Sequence, residues 1–179
     1  MNQARLLDAL DFAAEKHKGQ RREDAGASPY INHPIAVARL LAVIGGVTCE
    51  DIILAAVLHD TIEDTSATPE ELLERFGEAV TAIVLEVTDD KKLDKADRKR
   101  LQIEHAPQIS PGARQVKIAD KTANLTDLAA DPPDGWSTER KREYVEWSAK
   151  VVEGCRGVNA QLESAFDDAM RRARQALLD

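Results

Sequence analysis

Four side chains that can bind a metal ion or carry a proton stand close together at His59, Asp60, Glu63 and Asp64. They directly follow an apolar run at residues 52–58, which predicts a short helix buried on every side. On a helix continued through the cluster, positions four apart lie above one another, so the four polar groups share one face. Carboxylates at a helix C-terminus and against a core are unfavourable unless a positive charge lies nearby. The pattern predicts a divalent cation, and an acidic helix end that faces water is the competing interpretation.

Two further candidate ligands favour the metal interpretation. His33 lies in the segment YINHP and Asp120 in the segment VKIADKTAN, both far from the central cluster in the chain. With His59 and Asp60 they supply two imidazoles and two carboxylates from three predicted helices. This donor set suits Mn²⁺, Fe²⁺ or Zn²⁺ better than Ca²⁺ or an all-oxygen Mg²⁺ site. The two remaining acids of the cluster are then free to handle water.

Two basic clusters stand out in an otherwise acidic chain. Lys18, Arg21 and Arg22 precede a predicted loop, and residues 88–100 form a charge-dense stretch expected to be an exposed loop that runs into a helix. Such clusters are typical of solvated surfaces. Near a metal ion they suit an anionic substrate, because the planar guanidinium of arginine matches phosphate oxygens. We therefore expect both clusters to face the metal.

Apolar residues spaced three and four apart predict helices along the whole chain. Thr48 and Asp51 predict a capping box at the start of the central helix, and Thr68 and Pro69 predict another helix start. The predicted helices cover residues 3–18, 33–44, 48–65, 69–76, 80–87, 113–130, 138–153 and 157–177. There is no convincing strand pair, internal repeat or glycine-rich phosphate loop. The predicted fold class is all-α, a compact helical bundle in a single domain.

Composition narrows the classes of protein to which the chain can belong. A net charge of −8 over 179 residues argues against a general nucleic-acid or membrane binder. Cys49 and Cys155 are too isolated for a disulfide framework, which fits a reducing compartment. No stretch approaches the roughly 20 apolar residues that span a bilayer. We expect a soluble, cytoplasmic protein, and the sequence leaves a homo-oligomer open.

The order of histidines and aspartates, H…HD…D, resembles the HD superfamily of metal-dependent phosphohydrolases. The segments RRED, SPYINHPIAVARLL, AAVLHDTIEDT, EVTDDK and VKIADKTANLTDL, in this order and spacing, resemble the hydrolase domain of RelA/SpoT-type alarmone enzymes. The resemblance is strongest to the stand-alone metazoan and small bacterial members of that family. It runs from about residue 5 to beyond residue 160. It implies a single HD hydrolase domain over residues 1–179, with a core at about 5–165 and a C-terminal helix to residue 177.

The resemblance implies an alarmone hydrolase of the stringent response. The expected reaction is hydrolysis of guanosine 3′,5′-bis(diphosphate), or its triphosphate form, to GDP or GTP and pyrophosphate, with one Mn²⁺ ion per chain. The expected metal ligands are His33, His59, Asp60 and Asp120, and the expected catalytic pair that positions and deprotonates water is Glu63 and Asp64. The expected substrate-binding residues are Arg22, Asn124, Lys95 and Arg98. No synthetase domain is expected in a chain of this length.

Three residues depart from the family pattern, and two alternative functions fit the same candidate residues. Thr122, Ala123 and Thr126 stand where many relatives carry other residues, which bears on recognition of the base. The first alternative function keeps the metal but acts on NADPH or another nucleotide. The second is a catalytically silent nucleotide-binding module, which gives no use for Glu63 and Asp64 together.

Overall fold

Helices form most of the chain in this computed structural model, which describes residues 2–24 and 26–178. The helices are α1 (Gln3–Lys16), α2 (Asn32–Arg39), α3 (Glu50–Leu58), α4 (Thr61–Asp64), α5 (Pro69–Phe76), α6 (Glu78–Val87), α7 (Lys95–His105), α8 (Pro111–Ala130), α9 (Thr138–Cys155) and α10 (Ala160–Ala176). A π-helical turn, Leu40–Ile44, continues α2. Among the described residues no strand forms, and extended pairing is limited to one bridge between Arg21 and Pro29. The prediction of an all-α fold is confirmed.

Helix starts that the sequence marks with capping residues form as expected. At α5 the Thr68 hydroxyl accepts a hydrogen bond from the Glu71 amide at 3.2 Å, and the Glu71 carboxylate accepts one from the Thr68 amide at 3.0 Å. Pro69 occupies the first helical position, where its missing N–H is not needed. At α8 the Ser110 hydroxyl likewise accepts a bond from the Ala113 amide. Local sequence therefore determines these helix boundaries.

The start of the central helix differs from the prediction. Helix α3 begins at Glu50, with Cys49 as its N-cap, and no side chain among the described residues caps it. The predicted capping box of Thr48 and Asp51 is therefore wrong. The carboxylates of Glu50 and Asp51 both lie in the first turn, where the helix dipole favours them without a capping bond.

The central helix is also interrupted where the polar cluster begins. Helix α3 ends at Leu58, and α4 is a separate single turn, so the predicted continuous helix over residues 48–65 is wrong. At this break, side chains contact backbone carbonyl oxygens. Nδ1 of His59 lies 2.8 Å from the Ala56 oxygen, and the Thr61 hydroxyl donates a hydrogen bond to the Leu58 oxygen at 2.7 Å. Such side-chain bonds compete with the regular helical ladder. The break places His59 and Asp60 in a turn between two helices.

Helix α3 lies between two hydrophobic clusters. Ile53 and Ala56 belong to the cluster around α8, α9 and α10, whereas Leu54, Val57 and Leu58 belong to the cluster of α1, α5 and α6. All five side chains are at most 3% exposed, so the predicted burial on every side holds from residue 53 to residue 58, whereas Ile52 at the start of the run is half-buried. Because both faces are packed, the end of α3 is held firmly, and so is the polar cluster that follows it.

The charged stretch after α6 forms an exposed loop that leads into α7, as predicted. Helix α7, described along its whole length, has no buried residue. It is held to α9 in part by the Trp147 indole, which donates a hydrogen bond to the Lys99 carbonyl at 3.0 Å. In the described part of the chain, none of the helices has the length and apolar character needed to cross a membrane.

Candidate active site

The four predicted metal ligands converge at one point, although their role as ligands stays a prediction. Nε2 of His33 lies 3.2 Å from Oδ1 of Asp120 and 3.7 Å from Oδ2 of Asp60. Nε2 of His59 lies 3.1 Å from Oδ2 of Asp60 and 3.9 Å from Oδ1 of Asp120. Ligand atoms that each lie about 2.0–2.2 Å from one ion are themselves separated by about 3–4.4 Å. His33, His59 and Asp60 form a compact group whose ligand atoms all lie within 4.8 Å of one another, and Oδ1 of Asp120 borders this group through its contacts with the two histidines. The donor types and their closeness suit a first-row metal ion.

The ring of His59 is oriented as a metal-binding imidazole would be. Its Nδ1 lies 2.8 Å from the carbonyl oxygen of Ala56, which can only accept, so this nitrogen carries the proton of the neutral ring. In the neutral ring the lone pair would sit on Nε2, which is buried and faces Oδ2 of Asp60 at 3.1 Å. A second bond of this kind fixes the tautomer and direction of histidine ligands.

The charges of the carboxylates in the cluster favour a positive charge among them. Burial lowers the pKa of His59, but the carboxylates of Asp60 and Asp120 outweigh it and raise that pKa to about 9. Burial raises the pKa of Asp120, whereas Lys121 and the two histidines pull it well below its usual range. Ligand side chains bind a metal in their deprotonated forms. A divalent ion would replace the proton of the imidazolium and neutralise the same carboxylates.

Lys121 is a member of this site that the sequence analysis missed. Its Nζ lies 3.0 Å from Oδ2 of Asp120 and 4.5 Å from the centre of the Trp147 ring, and the residue is only 5% exposed. The carboxylate of Asp120 raises the pKa of Lys121 despite the opposing effect of burial. The spacing of apolar residues in the sequence does not show that a lysine is buried against an aromatic ring. Lys121 therefore holds Asp120 from the side opposite the histidines.

The predicted catalytic pair lies beside the cluster on α4. The Glu63 carboxylate accepts a hydrogen bond from the Asp89 amide at 3.0 Å and lies 3.9 Å from the Arg98 guanidinium. Burial raises the pKa of Glu63, as do the charges of nearby carboxylates. Asp64 forms an ion pair with Lys91. Each of the two carboxylates thus meets a cation from the segment that runs from the loop into α7.

Two further residues near the pair escaped the sequence analysis. The Tyr30 hydroxyl donates to Oδ2 of Asp60 at 2.7 Å and also lies 3.2 Å from Oδ2 of Asp64. Burial, with the charges of these two acids, raises the pKa of Tyr30 far above its usual value, so the hydroxyl keeps its proton. The side-chain amide of Gln20 donates to the Asp64 carbonyl at 2.6 Å. The position of Tyr30 three residues before His33 was the available signal in the sequence.

The predicted substrate residues Arg22 and Asn124 meet next to the cluster. The Asn124 amide donates to Oδ1 of Asp120 at 2.6 Å, and the Arg22 guanidinium donates to Oδ1 of Asn124 at 3.0 Å and to Asp127 at 2.9 Å. Lys18 does not share this location, because its side chain is 78% exposed and pairs with Glu15 on the surface. The expectation that the whole first basic cluster faces the metal is therefore wrong for Lys18.

The cluster lines a small cavity of about 130 Å³, and two larger clefts share lining residues with it. The larger, of about 720 Å³, we call the basic cleft, and its walls combine cations with aromatic rings. They include Lys95, Arg98, Lys99, Arg140, Trp136, Tyr144 and Trp147. The smaller, of about 380 Å³, we call the arginine cleft, and its lining includes Arg21, Arg22, Asn124, Asp127, Trp136 and Tyr144. The predicted substrate residues Lys95 and Arg98 thus lie in the basic cleft and Arg22 and Asn124 in the arginine cleft.

The residues that depart from the family pattern point away from these clefts. The hydroxyl of Thr122 donates to the Ile118 carbonyl at 2.7 Å, and that of Thr126 donates to the Thr122 carbonyl at 2.8 Å. Ala123 is buried in the core. Within the described residues, none of the three departures contributes to the lining of either cleft.

Comparisons with known proteins show similarity to one domain family and to several named hydrolases. The HD domain family matches residues 9–151. A human protein named guanosine-3′,5′-bis(diphosphate) 3′-pyrophosphohydrolase MESH1 is 56% identical over 163 residues, which cover 91% of each chain. The bifunctional (p)ppGpp synthase/hydrolase SpoT of Escherichia coli is 36% identical over 136 residues, 73% of this chain and 19% of that one. A solved structure of a metazoan SpoT orthologue, described as hydrolysing ppGpp, superimposes with a TM-score of 0.92 at 46% identity and 96% coverage of both chains.

Proposed function

The chain belongs to the HD domain family, and from that premise we propose that it is a metal-dependent guanosine-3′,5′-bis(diphosphate) 3′-pyrophosphohydrolase. The observation that carries the proposal is the grouping of two imidazoles and the Asp60 carboxylate, with Asp120 against both histidines, beside the carboxylates of Glu63 and Asp64 and next to a cleft lined with cations. Relatives named as enzymes of this activity, similar over nine-tenths of the chain, support the same substrate. The acidic composition and isolated cysteines fit a cytoplasmic enzyme with a small nucleotide substrate and no nucleic-acid or membrane partner.

The reaction transfers the 3′-diphosphate of the substrate to water. The oxygen of water bonds to the phosphorus attached at the ribose 3′ position, and the bond from that phosphorus to the 3′ oxygen breaks. The products are pyrophosphate and GDP, or GTP from the pentaphosphate. His33, His59, Asp60 and Asp120 would hold the metal ion. When bound, that ion lowers the pKa of coordinated water and offsets charge on the attacked phosphate.

The side chains around the cluster divide the remaining work. Glu63, whose pKa is raised, accepts the proton of the attacking water, and Asp64 orients that water. Arg98 and Lys95 neutralise phosphate oxygens in the basic cleft. The rings of Trp136 and Tyr144, which line both clefts, offer flat surfaces on which a base can stack.

Chelation is expected to abolish activity, and Mn²⁺ is expected to restore it better than Mg²⁺. The physical reason is the presence of two imidazole donors, which suit a borderline ion better than a hard one. The experiment removes metal with a chelator, removes the chelator by gel filtration, and adds one ion at a time. Products from ppGpp, pppGpp and NADPH are separated by ion exchange. Full turnover in the metal-free preparation contradicts the proposal, turnover of NADPH alone favours the alternative substrate, and no turnover favours a binding module.

Replacement of Lys95 by alanine is expected to lower kcat/KM about two- to fivefold at low ionic strength, as an exposed charge is worth about 0.2–1 kcal/mol. The net charge of −8 opposes encounter with an anionic nucleotide, so local cations must attract it. The difference should fade as salt screens the interaction. Lys92→Ala is the matched control, because Lys92 is exposed in the same segment but is not among the residues lining the basic cleft. A salt-independent loss in Lys95→Ala, or an equal loss in the control, contradicts a role for Lys95 in encounter.

A further inference from the structure

A single hydroxyl joins the metal-ligand cluster to the catalytic pair. The Tyr30 oxygen lies 2.7 Å from Oδ2 of Asp60, one of the four converging atoms, and 3.2 Å from Oδ2 of Asp64. Neither carboxylate can donate a proton while ionised, so the two acids share the single proton of the hydroxyl, which lies nearer to Asp60. The separation between the two acids therefore depends on where the Tyr30 ring lies.

The ring of Tyr30 is itself held on several sides. It stacks on the buried imidazole of His17, with ring centres 4.7 Å apart and planes inclined by 26°, and its edge meets the His33 ring at 6.0 Å. Nδ1 of His17 in turn contacts the Gln20 side-chain oxygen at 2.7 Å. The Tyr30 amide donates to the Gln20 carbonyl at 3.1 Å. The buried His17 ring thus lies behind the site as a support for Tyr30.

Gln20 holds the other end of Asp64. Its side-chain amide donates to the Asp64 carbonyl at 2.6 Å, across 44 residues of sequence. Helix α4 has only four residues, and an isolated turn of that length has little stability of its own. The place of Asp64 is therefore set by bonds from outside α4. Gln20 supplies the bond to its backbone, and Tyr30 supplies the bond to its side chain.

We propose that Tyr30 and Gln20 are positioning residues that hold Asp64 against the metal-ligand cluster, and that Tyr30 also orients the Asp60 carboxylate within it, an inference that rests on the proposed hydrolase function. Lys91, on the exposed loop, pairs with the other oxygen of the Asp64 carboxylate. Without the Tyr30 hydroxyl, Lys91 draws that carboxylate toward solvent. The resulting loss falls on the chemical step, because the two residues act on Asp64 and touch the substrate only indirectly.

Tyr30→Phe tests the proposal, because it removes the hydroxyl and keeps the ring that stacks on His17. At saturating Mn²⁺ its kcat for ppGpp should fall about 10- to 100-fold, with KM within about twofold, as for other outer residues that orient a metal site. Gln20→Ala should show the same pattern, a lower kcat with a nearly unchanged KM. Gln108→Ala is the matched control, since Gln108 also donates to a carbonyl, that of Glu104, on an exposed surface.

A double-mutant cycle separates a positioning role from a merely structural one. If Tyr30 acts through Asp64, then Tyr30→Phe should change kcat less than about twofold in the Asp64→Asn background. An undiminished loss in that background overturns the proposal, as does a Tyr30→Phe kcat within twofold of the unmodified protein. Should Tyr30→Phe fail to fold, the same cycle is run with Gln20→Ala.

Titration of metal-free protein with Mn²⁺ distinguishes this proposal from the proposed function. Tyr30→Phe should bind the ion about tenfold more weakly, because Asp60 loses the bond that orients it. If the unmodified protein leaves ppGpp intact, the proposed function is refuted. The Mn²⁺ titration alone then tests the positioning role of Tyr30. Weaker binding by Tyr30→Phe supports the positioning role, and equal binding overturns it.

Discussion

The Glu63→Gln variant is expected to lose about 10²- to 10⁴-fold in kcat, the usual contribution of a general base, and to keep its affinity for Mn²⁺. Glu63 lies outside the four converging ligand atoms, and glutamine retains the oxygen that accepts the Asp89 amide. The substitution removes the carboxylate that we propose as the proton acceptor, whose pKa burial raises above its usual value. Single-turnover assays with ppGpp measure the chemical step, and calorimetry measures binding of the metal.

The control for this variant is Glu74→Gln, which makes the same change on an exposed face of α5. It should leave both kcat and metal affinity unchanged. If Glu63→Gln lost metal and activity together, Glu63 would be a ligand instead of a base. An unaltered kcat would remove Glu63 from the chemistry altogether.

Asp120→Ala is expected to abolish Mn²⁺ binding and turnover together and also to destabilise the fold. The carboxylate lies within 3.9 Å of Nε2 of both histidines, so its loss removes the oxygen that faces both imidazoles. It also leaves Lys121 buried without its partner, and breaking a buried pair in this way costs about 3–5 kcal/mol. Denaturant unfolding measures the stability, and calorimetry measures the metal.

The double variant Asp120→Ala/Lys121→Met separates these two effects. Replacing both members of a buried ion pair by apolar groups restores much of the stability that a single replacement loses. Methionine also packs well against the Trp147 ring that Lys121 now faces. We expect the double variant to unfold at nearly the denaturant concentration of the unmodified protein while still failing to bind Mn²⁺. Recovery of metal binding in this variant would contradict the assignment of Asp120 as a ligand.

Features that depend on local sequence pattern can be predicted from the sequence. Apolar spacing is enough to predict most helices, and Thr68 and Pro69 predict the start of α5 because a cap acts within one turn. His33 and Asp120 were grouped with the central cluster by residue type and family resemblance, and the structure brings their side chains together. The chemistry of a metal site restricts its donors to few residue types, which makes such a group recognisable.

Contacts between segments that are distant in the chain cannot be predicted from local sequence pattern. Tyr30, Gln20 and Lys121 have no periodicity that marks them, and their contacts depend on how α1, α8 and α9 pack. The break after Leu58 was missed for a related reason, since the residues on both sides of it favour a helix. Bonds from His59 and Thr61 to nearby carbonyls decide the geometry there.

The lack of buried side chains in α7, which is described throughout, affects how the basic cleft exchanges with solvent. Segments that bury little apolar surface open at free energies well below that of global unfolding. Helix α8, by contrast, has buried residues along most of its length. Amide hydrogens of α7 should therefore exchange for deuterium far sooner than those of α8. We therefore expect the wall that carries Lys95, Arg98 and Lys99 to open while the predicted metal ligands on α2, α8 and the turn after α3 stay in place. Under the proposed function, a nucleotide would then enter through local unfolding of one side of the cleft.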